Sequence, residues 1–182
     1  NVGVPAILLL VWVSGIMAIG RSVAGPIVHR LSPSGVLLFS VILSGLGLVL
    51  LSYANGYMSF AAAAVFAVGI TYFWPTMLRF VSENIPKSGA LGLAIMGGIG
   101  FLGGAIAQPV LGNMFDAQTI LALPEGYTLE SLRAASKGSA ESAILASAQL
   151  IGGKIALRYV AFLPALLTIA FGFLYVTRKK GL

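Results

Sequence analysis

Apolar stretches of bilayer length, nearly free of charge, recur along this chain and constrain its fold more than any other feature. A helix crossing a membrane needs about 20 apolar residues. Segments that meet this run from about Val4 to Val28 (with Arg21 inside), Gly35 to Tyr53, Met58 to Met77, Ala90 to Met114 and Val160 to Val176. A soluble domain carries about a quarter charged residues; here the fraction is 9%, at a mean hydropathy of +0.99. The segments do not alternate apolar and polar residues, as barrel strands would. The expected fold is therefore all-α, a polytopic transmembrane helical bundle. The first residue is Asn1 rather than methionine, and a longer parent polypeptide is expected.

The charges give the expected sidedness. If these segments span, one side receives Arg21, Arg30, Arg79, Lys87, Arg178, Lys179 and Lys180 against the single acid Glu83. That excess equals the formal net charge of +6. The other side receives the long stretch 116–159, whose basic and acidic residues balance. Basic residues in short loops mark the cytoplasmic side. His29, the loop from Arg79 to Lys87 and the C-terminus are thus expected inside, in a bacterial inner membrane. The basic tail reads as a stop signal and an anionic-lipid contact, not a nucleic-acid site. Residues 116–159 are expected as a long extracytoplasmic loop. Within it, Thr128 to Leu132 can start a short helix, and the small-residue stretch that follows suits an amphipathic surface helix. A sixth span within Ala140 to Ile155 fits by length but would reverse the basic tail.

Several functions are disfavoured. Cysteine is absent and histidine occurs once, which argues against a thiolate or histidine-rich metal site. No nucleophile–base pair suggests hydrolysis, so neither an enzyme nor a resident cofactor is expected. No aspartate or glutamate lies inside a span, so a proton or sodium ion, if coupled, has no obvious carboxylate relay.

The polar residues inside the spans are the candidate site. Arg21 lies about 12 Å before His29 along a helix, at ~1.5 Å per residue. Such a charge is costly unless it meets a cavity, a partner or the interface. Thr71, Tyr72, Trp74 and Thr76 bring polar atoms beside Pro75, and Tyr72 and Trp74 suit cavity lining or interfacial anchors. Gln108 is an amide in the outer half of the glycine-rich segment and needs a substrate or a helix as partner. Gly100, Gly103, Gly104 and Pro109 suit close contact with a moving neighbour.

The stretch GPIVHRLS, Gly25 to Ser32, resembles the short inner-loop signature of the major facilitator superfamily: glycine, three residues, aspartate, a basic residue, any residue, glycine. Gly25 and Arg30 match; His29 stands in the aspartate position and Ser32 in that of the second glycine. The order of segments resembles spans eight to twelve, an incomplete second half of that fold. The resemblance implies alternating access by a secondary transporter, with the missing N-terminal transmembrane half as the other wall. It also implies gating or packing roles for Gly25, His29 and Arg30, and cavity roles for Arg21, Thr71, Tyr72, Trp74 and Gln108. A small polar or anionic organic solute is the expected cargo, with cation symport as a compatible coupling. The competing expectation is a non-transporting membrane scaffold or assembly protein.

Overall fold

The computed structural model describes residues 6–23, 32–136 and 138–180. Its elements are α1 (Ala6–Ser22), α2 (Pro33–Tyr53), α3 (Met58–Thr71), α4 (Phe73–Asn84), a 3-10 turn (Pro86–Ser88), α5 (Gly89–Leu121), α6 (Leu129–Arg133), α7 (Ala140–Val160) and α8 (Phe162–Lys180). No strand occurs among the described residues. Four helical rods are long and apolar enough to cross a membrane: Pro33–Tyr53, Met58–Asn84, Pro86–Leu121 and Ala140–Thr177. The expected Gly25, His29 and Arg30 contacts fall outside the described residues.

The hub is α2. Ser32 caps it by accepting from the Gly35 amide at 3.3 Å, and Pro33 occupies its first turn, where a missing N–H costs nothing. It packs against α3, α4, α7 and α8. Leu37, Val41 and Leu48 are buried along it, together with Ser40, Ser44 and Ser52. Ser44 and Ser52 donate to the Val41 and Val49 carbonyls at 3.0 and 2.7 Å, so these hydroxyls need no partner from another helix. Small side chains allow two helices to approach closely in an apolar medium. Here Gly47 lies against Phe66 and Gly69 against Ser44, which makes α2 and α3 antiparallel.

On the far side of α3, α1 runs parallel to it. The Trp12 indole donates to the Phe60 carbonyl at 3.0 Å and meets the Phe60 ring edge-on at 6.1 Å. One end further on, Gly20 faces the Thr71 methyl. The α8 helix closes the opposite side of α2, with Pro164 by Gly45 and Tyr175 by Gly35.

The stretch 116–159 is more ordered than a loop. The α5 helix continues to Leu121, beyond the expected end at Met114, and Ala140–Val160 is one helix leading into α8. Ser139 caps α7 by accepting from Ser142 N at 3.2 Å. Gly152 sits against Thr119, and Gly153 against Phe115, so α7 lies antiparallel on the end of α5. Ala148 and Ala156 are buried on the same helix. At ~1.5 Å per residue, α5 is about 50 Å long, well over the ~30 Å of a hydrocarbon core. The short α6 follows a cap at Thr128, close to where the sequence suggests a helix start, with a reciprocal cap between Thr128 and Ser131.

Two contacts hold α6, and they differ in weight. Arg133 meets Asp116 at 2.7 Å, but both side chains are solvent-accessible, and such pairs contribute about 0–1 kcal/mol. Leu132 is 2% exposed, and truncating a buried leucine costs about 2–5 kcal/mol. Leu132→Ala should therefore release α6 and expose 122–139 to limited proteolysis, while Asp116→Asn should leave the digestion pattern unchanged. Equal sensitivity of both variants would show that the ion pair, not the leucine, anchors the segment.

Candidate functional site

The break between α3 and α4 sets the centre of the site. Pro75 has no N–H for the Thr71 carbonyl, and the chain turns at Tyr72 before helix resumes at Phe73. Thr71 does not line a cavity. It is 1% exposed, its hydroxyl donates to the Ala67 carbonyl at 2.6 Å, and its methyl packs on Gly20. Tyr72 is half-buried at the turn. Trp74 is 41% exposed, and its ring lies where a methyl on Gly100 would stand 3.2 Å away. The opposite ring face of this region is fixed by Phe73, edge-on to Phe171 of α8 at 6.0 Å.

The Gly20–Thr71 contact also fixes the height of Arg21. Thr71 is the middle of the Met58–Asn84 rod, so Arg21 lies level with the middle of that rod, beside the α3–α4 break. Its side chain is exposed, and no carboxylate pairs with it among the described residues. The acids are engaged or distant in sequence: Glu83 pairs with Arg79 at 2.6 Å and Asp116 with Arg133.

On α5, Gly100, Phe101, Gly104, Ala105, Gln108 and Pro109 line a concavity of about 670 Å³ that is open on one side. The missing side chains of Gly100 and Gly104 form its floor. Pro109 cannot donate to the Ala105 carbonyl, so that oxygen is left as an acceptor beside the Gln108 amide. Sequence reasoning singled out Gln108 but overlooked Ala105; the signal was its position four residues before Pro109. Gly103 and Gly104 touch nothing within the described chain, and neither do Gly97, Gly98 or Gly112. Gln108 is exposed and lies about 12 Å along α5 from Gly100.

The structure thus brings Trp74 and Gly100 together, and sets Arg21, Tyr72 and Trp74 at one height. It moves Thr71 into helix packing. Two hydroxyls, Ser40 and Thr76, are buried without a hydrogen-bond partner among the described residues. No cluster of three metal-ligating side chains occurs among those residues. Chemically, the arrangement offers a cation, a carboxamide, a carbonyl without its usual helical donor and an aromatic face on otherwise apolar helices. No protein-family model matches the chain, and no curated protein or solved structure matches it significantly.

Proposed function

We propose that this chain is part of a secondary transporter of the major facilitator type, moving a small polar or anionic organic solute by alternating access. The observation that carries the reading is Arg21: an exposed guanidinium at mid-height of an apolar bundle, without a carboxylate partner among the described residues. A charge at that level is stable only if it faces water, a solute or a partner. The open α5 concavity supports the same reading, because Ala105 and Gln108, which line it, are exposed. A second transmembrane half would form the other wall, as in carriers whose site lies between two repeats. Cation coupling, a bacterial inner membrane and a cytoplasmic C-terminus belong to this proposal.

Solute-stimulated counterflow in proteoliposomes holding the parent polypeptide tests it, with sugars and small carboxylates as solutes. Saturable exchange of one class supports a carrier. Absence of exchange by folded, inserted protein favours the scaffold reading, in which Arg21 and Gln108 contact another protein. Within the carrier reading, Gln108→Leu removes a polar contact of about 1 kcal/mol. The expected result is a several-fold rise in the half-saturating solute concentration at unchanged membrane level. An unchanged value would assign Gln108 to helix packing.

A further inference from the structure

A second concavity lies between α4 and α5 and borders the Gln108 concavity at Gly100. It has a volume of about 510 Å³ and is lined almost wholly by apolar atoms, among them Phe73, Trp74, Met77, Val81, Ile95 and Ile99. The two helices are antiparallel here, since Trp74 lies by Gly100 and Val81 by Gly92. Both glycines lower the α5 wall, so the space is a trough rather than a closed hole. Its length from Phe73 to Ile85 is about 18 Å at ~1.5 Å per residue. One leaflet of hydrocarbon is about 15 Å deep, half of a ~30 Å core. The trough ends at Ile85 and Ser88, and Lys87 stands exposed in the turn between them. Lys87 forms no ion pair among the described residues.

We propose that this trough holds one acyl chain of an anionic phospholipid, whose headgroup phosphate is met by Lys87. The inference rests on the membrane reading above but not on transport. Three features select this occupant. The trough is apolar along one leaflet's depth, its single basic group is at the mouth, and that mouth lies on the side with the excess of basic residues. A polar solute would find no partner along the trough walls.

The two tryptophans make the test direct, because brominated acyl chains quench indole fluorescence on contact. Trp12→Phe leaves Trp74 in the trough as the sole reporter; Trp74→Phe leaves Trp12 on α1 as a reporter of insertion. The vesicles are phosphatidylcholine with increasing brominated phosphatidylglycerol, or with brominated phosphatidylcholine as the neutral comparison. Trp74 is expected to be half-quenched at about one-fifth the mole fraction of the anionic lipid, since one basic residue near an anionic surface contributes ~1 kcal/mol, a factor of about five. Lys87→Gln should abolish that preference, and Lys154→Gln at the other end of the bundle should keep it. Equal quenching by both lipids would overturn the proposal, leaving bulk lipid in the trough. Quenching of Trp12 but not Trp74 would also overturn it, with protein covering the trough and the membrane reading intact. Quenching of neither would defeat the membrane reading and the proposal together.

Discussion

Gly47→Leu combined with Gly69→Leu is expected to prevent accumulation of folded chain. The α2–α3 contact has no slack at these positions. A Cβ on Gly47 would stand 2.5 Å from the Phe66 Cα, and one on Gly69 would stand 2.8 Å from the Ser44 Cα. Both obstacles are backbone, so no rotamer change relieves them. Inserting extra carbons into a packed interior costs about 1–3 kcal/mol even where neighbours can shift. Here the helices themselves must separate, and with them the burial of Leu37, Val41, Ala63 and Ala67. Against a total stability of about 5–15 kcal/mol, two such insertions at one crossing are decisive. They share a crossing, so their effects will not add simply. Size-exclusion profiles of detergent-solubilised protein give the readout: a monodisperse peak for the parent chain and aggregate for the double variant. Gly104→Leu, at a glycine that touches nothing in the described chain, is the comparison. A monodisperse double variant would show that α2 and α3 do not cross here.

The second large effect is expected at Arg21. If its guanidinium attracts the solute, Arg21→Ala should lower initial uptake by roughly 10- to 100-fold, in line with the ~1.5–3 kcal/mol of a hydrogen bond to a charged group. Membrane level should be unchanged, because the side chain is exposed and supports no described contact. Arg21→Lys separates two ways of acting. Lysine keeps the charge but loses the planar fork that holds a carboxylate at two points. Partial uptake by the lysine variant, with weakened affinity for carboxylate solutes, would indicate paired hydrogen bonds. Full uptake would indicate charge alone. Wild-type kinetics in the alanine variant would remove Arg21 from the site and leave it as a side chain reaching toward the interface.

The apolar rods were legible because their signal is local: the run from Gly35 to Tyr53 continues without a charge, although the helix starts at Pro33, where the Ser32 cap and a first-turn proline begin it rather than end the element before. The reciprocal Thr128–Ser131 cap was equally local. The α7 helix was harder to read, since Ala148, Gly152 and Ala156 carry little hydrophobic signal. Their role appears only when α5 supplies Thr119 and Phe115 opposite them. Thr71 misled for a related reason. A hydroxyl beside a proline suggests a cavity, yet it can be satisfied by its own helix, and only the approach of Gly20 shows which face is covered. The glycines of α5 suggested close packing, but most of them meet no neighbour in the described chain. Sequence could locate the small-residue face without identifying what stands against it.

The central position of α2 also has a bearing on synthesis. Its Gly35 end rests against Tyr175, a residue made some 140 positions later. During translation, α2, α3 and α4 can meet early, whereas the α8 flank of α2 stays open until α8 leaves the ribosome. At about 5–20 residues per second, that interval is on the order of ten seconds. Throughout it, the flank of α2 that carries Gly35, Leu38 and Gly45 must be sheltered by lipid, by insertion machinery or by an assembly factor. Chains cut before α8 should therefore be held by quality control rather than released as a smaller stable bundle.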